Sequence, residues 1–193
     1  MRLDPKVLRA LTVLVTPKAV VRVTPLAHAA TPLGMGYGET RFASATEAFK
    51  VLYLGQNLIT SVAEAVVRDR FQGRVGRELE LADVRKWAVV TVTATSPLAV
   101  IDLRTTGLLR LGVSTEAARG KTQTQGRKLS QAVHDQSDVD GFLYASRLTG
   151  AKCLCVFERA VPKLTSVAVV PLIQRPDLMA ALKALAVELE RPA

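Results

Sequence analysis

Glu64 is the side chain whose setting most invites chemistry. Asn57 reads as the N-cap of a helix running to about Asp69, whose apolar face is Leu58, Ile59, Val62, Ala63, Val66 and Val67. Helical spacing turns Glu64 almost opposite that face, where an ion pair with Arg68 would contribute only about a few tenths of a kcal/mol. Helical periodicity favours that surface pair, but Thr60, Ser61 and Ala65 flank Glu64, and small residues let a ligand approach a carboxylate closely, so a cleft wall is the other reading.

The other chemistry-bearing residues point to less. His28 and His134 are the two histidines, and neither stands near a suitable Ser or Cys motif or at metal-ligand spacing. Gly34-Met35-Gly36-Tyr37-Gly38 lacks the lysine spacing of a phosphate loop and reads as a flexible connection. Gln136, Asp138, Asp140 and Gly141 imitate part of a calcium loop, but Gln opens it and Arg147 stands where the closing Glu belongs. Cys153 and Cys155 alternate within an apolar run and read as two small core residues of a reducing compartment. No metal site is expected.

These residues must be positioned by one domain, since 193 residues suffice for a single core without staples. Hydrophobic residues are 49% of the chain and charged ones 22%, an ordinary globular balance. No apolar run approaches the roughly 20 residues of a membrane helix. The basic N-terminal stretch is cut short as a signal sequence by Pro17, Lys18 and Arg22, so a cytoplasmic setting is expected. The net charge of +9 favours anionic partners. Between Arg68 and Lys86, and again from Arg104 to Lys128, the basic residues alternate with acids and lack an aromatic platform. Direct nucleic-acid binding is therefore a background alternative.

Strand signals fall at Ala19–Val23, Phe49–Leu54, Trp87–Ala94, Leu98–Leu103, Phe142–Ser146, Lys152–Glu158 and Ser166–Val170. Trp87–Ala94 and Leu98–Leu103, separated by Thr95-Ser96-Pro97, fit a hairpin. A helix is expected near Arg127–His134 within a polar and partly mobile stretch, and another over 177–190 with the stripe Leu178, Leu182, Leu185 and Leu189. Helices do not alternate regularly with strands, so the fold class is α+β.

Five segments then occur in a telling order: Val-Val-Arg-Val-Thr-Pro around Arg22, Thr40-Arg41-Phe42, Val51-Leu52-Tyr53-Leu54, Ala63-Glu64 with Arg68-Asp69, and Tyr144-Ala145-Ser146-Arg147. Pro97-Leu98, Asp102-Leu103 and Asp140-Gly141 fall between them. Together they resemble the RES-domain family, named for Arg, Glu and Ser, over roughly 19–170 of a single domain spanning 1–193. The family's usual Gly or Ser before the second arginine is replaced here by Glu39-Thr40.

The resemblance implies a fold like ADP-ribosyltransferases, with a split antiparallel β-sheet core and flanking helices. It also implies the toxin of a bacterial toxin-antitoxin pair, NAD as substrate, and an acidic antitoxin of the Xre-associated type as partner. It points to Arg22, Arg41, Tyr53, Glu64 and Ser146 as the pocket, with Tyr144 and Arg147 nearby. On this reading Glu64 stabilises oxocarbenium character as the nicotinamide–ribose bond breaks. Arg41 and Arg22 grip the pyrophosphate, Tyr53 stacks nicotinamide, and Ser146 orients ribose or carboxamide. Water, phosphate or a protein side chain could accept the ADP-ribosyl group. NAD hydrolysis or phosphorolysis ranks first, protein ADP-ribosylation second, and a non-enzymatic basic binding module last.

Overall fold

The structure, a computed structural model, describes residues 1–190. Along the chain run α1 (Pro5–Leu11), β1 (Thr12–Val15), β2 (Val20–Pro25), β3 (Val51–Gly55) and α2 (Leu58–Val62), which continues into a wider π-type turn, Ala63–Val67. Then follow β4 (Glu78–Leu79), α3 (Leu81–Val84), β5 (Trp87–Ala94), β6 (Leu98–Asp102), α4 (Gly107–Arg110), α5 (Glu116–Arg119) and α6 (Thr124–Gln136). The last elements are β7 (Gly141–Ala145), β8 (Lys152–Phe157), β9 (Leu164–Pro171), α7 (Leu178–Ala184) and β10 (Glu188–Leu189). No helix among the described residues is long and apolar enough to cross a membrane.

Eight strands form one sheet in the order β1-β6-β7-β8-β3-β2-β5-β9. All its pairings are antiparallel except β6 with β7, whose crossover carries α4, α5 and α6. The fold is α+β, as the arrangement of strand and helix signals implies.

The expected hairpin of Trp87–Ala94 with Leu98–Leu103 does not form. β5 pairs with β2 and β9, whereas β6 pairs with β1 and β7. Only Thr95-Ser96-Pro97 joins strands that lie near opposite ends of the sheet order, and so short a link reaches no more than about 14 Å. The sheet must therefore curl. Its concave interior is a cluster drawn from both ends, including Leu52, Leu54, Val90, Val92, Leu98, Val100, Leu143, Leu154 and Val156. On the convex side, α2 and α7 cover a second cluster with Val21, Val62, Val66, Val89 and Leu182. A third, with Phe42, Phe49, Leu129, Phe142 and Phe157, lies beneath α1 and α6.

Two further expectations are corrected. The C-terminal helix ends at Ala184 rather than near Glu190, because Ala186 adopts a left-handed φ of 51°. Leu189 then leaves the helical stripe, and β10 lies parallel to β4, opposite the fully buried Leu79. At the other end, Met1–Val15 contains an unforeseen helix and strand. Asp4 caps α1 by accepting from Lys6 N at 2.7 Å, and Pro5 opens the first turn.

β2 and β3 share only one register pair, Val21 with Gly55, and then part. Ser61 Oγ pins this apex, donating to Val21 O at 2.8 Å with Asn57 O at 3.0 Å. Gly55 is required here, since a Cβ would stand 2.4 Å from Ser61 Oγ and 3.1 Å from Ser61 N. Gly55→Ala is expected to push α2 from the apex and lower stability by about 1–3 kcal/mol, as overpacking commonly does. Urea denaturation beside the unsubstituted protein measures the loss.

Candidate active site

The parted strands open a cavity of about 300 Å³, bordered by β2, β3, α2 with its π-type turn, and the segments around Arg41, Trp87 and Tyr144. Of the residues the sequence singled out, Arg22, Arg41, Tyr53 and Glu64 border it, as do Tyr144 and Arg147. Ser146 stands directly behind Glu64.

Glu64 reaches the cavity through the π-type turn. Arg68 N bonds to Ala63 O at 2.7 Å, one residue further back than α-helical bonding, so the helix widens at Glu64. The widening also breaks the spacing that would set Arg68 over Glu64. Instead, Arg68 Nε lies 3.8 Å from Asp69 Oδ2, and the surface pair expected from helical periodicity is absent. Arg68 itself sits at φ 26°, a strained conformation for a non-glycine residue.

Ser146 Oγ donates to Glu64 Oε1 at 2.6 Å and accepts from Leu148 N and Thr149 N, each at 3.1 Å. A hydroxyl has one proton and two acceptor sites, so this one is fully engaged. Its geometry fits holding Glu64 better than touching ribose or carboxamide. Thr60 Oγ1 lies 3.2 Å from Thr149 Oγ1 and ties α2 to the same turn.

Arg41 is carried by a loop clamped from two sides. Tyr53 Oη accepts from Phe42 N at 2.8 Å and donates to Thr40 Oγ1 at 2.9 Å. From α6, Ser130 Oγ donates to Phe42 O at 2.6 Å and Arg127 Nη2 to Ser44 O at 2.9 Å. Gly126 lets α6 approach, because a Cβ there would fall 2.4 Å from Arg41 O. The polar stretch expected to be partly mobile thus supplies the helix that fixes Arg41. Arg41 Nη1 donates to Gly120 O at 2.8 Å. Burial, then the neighbouring Arg147 and Arg68, lower its pKa, while Glu64 opposes them. Such crowding of like charge favours an anionic ligand.

Arg22 is also lowered by burial, and its Nη1 donates to Pro32 O at 2.7 Å. Arg147 Nη2 donates to Asp69 Oδ1 at 3.1 Å, so Asp69 restrains two of the cavity's guanidiniums. Residue type and spacing do not reveal Asp69 in that role, nor the place of Trp87, the single tryptophan, at the cavity. Cys153, read as a core residue, borders the cavity as well. Among the described residues no cluster of three or more His, Cys, Asp or Glu could hold a metal ion.

The chain is thus an α+β domain with a carboxylate and several guanidiniums bordering the gap between parted strands. The sequence model of the RES domain matches residues 7–181, and the chain belongs to that family. It is 34% identical over 117 residues to a protein of Sinorhizobium fredii (strain NBRC 101917 / NGR234) named probable toxin y4kH, covering 59% of this chain and 91% of that protein. A chain in the crystal structure of the M. tuberculosis MbcT-MbcA toxin-antitoxin complex has a similar fold, with TM-score 0.68 and 18% identity. The match covers 94% of this chain and 98% of that one.

Burial and the nearby Glu64 push the Cys153 thiol up to about 12, and burial raises Cys155 further. Neither thiol should alkylate with iodoacetamide at pH 8 until the protein unfolds. An unfolded thiol ionises from an ordinary value of 9.0, so above that pH the unfolded chain holds fewer protons than the native one. Stability contributed by these thiols is therefore complete below about pH 9 and declines toward pH 12, which urea denaturation at a series of pH values measures.

Proposed function

We propose that this protein is the toxin of a toxin-antitoxin pair and consumes NAD by cleaving its nicotinamide–ribose bond. The observation that carries the reading is Glu64. Its Oε1 is held by Ser146 at 2.6 Å, and its side chain borders a cleft shared with Arg22, Arg41 and Arg147. A carboxylate fixed by one oxygen needs little reorganisation when positive charge develops at the anomeric carbon. Arg41, with Arg22, suits the two charges of the pyrophosphate through charge-assisted hydrogen bonds.

In this mechanism the dinucleotide enters the cleft and the guanidiniums fix its diphosphate. Glu64 stabilises the oxocarbenium-like transition state as nicotinamide departs with the bonding electrons. Water then yields ADP-ribose and a proton, or phosphate yields ADP-ribose 1-phosphate. Tyr53 contributes by holding Thr40 and Phe42 on either side of Arg41, and Ser146 by holding Glu64. The resemblance to the named relatives supports the toxin assignment. An acidic antitoxin suits the net charge of +9.

Purified protein should deplete NAD, and mass analysis with and without phosphate identifies the product. Glu64→Gln keeps the shape but removes the charge, so turnover should fall by about 100-fold or more while the fold and much of the NAD affinity persist. Undiminished turnover in Glu64→Gln would sink the role given to Glu64. Modified protein with no free ADP-ribose product would instead favour protein ADP-ribosylation.

A further inference from the structure

Trp87 is the single tryptophan of the chain, and it borders the same cavity as Glu64. It opens β5 directly opposite Pro25 of β2, so the two side chains share one face of the sheet. Val23, two positions back along β2, lies on that face as well. All three border the cavity, together with Ala65 and Arg68 from the helix above.

The two regions of the cleft differ in chemistry. Around Glu64 it is polar, with Thr40, Arg41, Tyr144 and Arg147. Around Trp87 the wall is apolar and partly aromatic, with Pro25 opposite it and Val23 on the same face. Trp87 is only half-buried, packed against the second core cluster while it borders the cavity.

We propose that Trp87 is a stacking site for a planar heteroaromatic ring, one of the two base rings of NAD. This rests on the NAD reading above. An indole covered by a flat ring sheds water from both surfaces and tolerates either ring, because each has a π-face. Trp87 thereby sets affinity and the direction in which the dinucleotide lies, whereas Glu64 acts on the bond that breaks.

With one tryptophan, intrinsic fluorescence reads this contact directly. NAD is titrated into Glu64→Gln protein, following emission and, separately, heat by calorimetry. A saturable change in emission matching the calorimetric Kd is expected. Parallel titrations with nicotinamide mononucleotide and ADP-ribose name the ring, since the fragment carrying it reproduces the change.

In the active protein, Trp87→Ala should raise KM for NAD by about tenfold, with the smaller change in kcat, and Trp87→Phe should restore most of the loss. If NAD binds by calorimetry while emission is unmoved and Trp87→Ala retains its KM, the stacking assignment is overturned and NAD remains the substrate. If NAD neither binds nor is consumed, the NAD reading fails and takes the stacking assignment with it.

Discussion

One register pair, Val21 with Gly55, is all that joins β2 to β3, and the cleft exists because these strands part beyond it. The apex is pinned where three elements meet: the backbone of β2, a glycine at the end of β3, and Ser61 on α2. A strand pair continued in register would have closed the gap and left α2 lying on an unbroken sheet. The parting instead leaves space beneath the helix, within a sheet that curls. The curl in turn follows from the short link between β5 and β6 and from the apolar interior that both ends of the sheet fill.

Around that gap the charged residues are held in place by hydrogen bonds and ion pairs from their neighbours. Ser146 spends all its hydrogen-bonding capacity on Glu64 and the turn that carries it. Tyr53 and α6 hold the backbone on both sides of Arg41, and Asp69 restrains Arg68 and Arg147. This division suits a site where several like charges meet in a half-buried space. Free guanidiniums would repel one another and turn toward water, whereas anchored ones retain a field that an anionic ligand can satisfy.

Much was legible from residue types alone. Alternating β-branched runs marked most strands within a residue or two, because a half-buried pleated surface selects such residues wherever it occurs. The ordered segments around Arg22, Arg41, Tyr53, Glu64 and Ser146 indicated the family, and four of those five residues border one cavity. Helix boundaries were less legible. The left-handed Ala186 and the short α1 depend on contacts that local propensity does not report.

By itself, then, the sequence determined the α+β class, the family, and which residue types were available for chemistry, since these follow from composition, periodicity and ordered motifs. Only the tertiary structure decided what each residue meets. The π-type turn frees Glu64 from the surface pair that helical spacing predicts. The sheet order separates two strands that look like a hairpin, and the pairing of Pro25 with Trp87 brings an otherwise unremarkable strand residue to the cleft. Each results from long-range contacts, whose energies depend on partners distant in the chain and so leave no local signature.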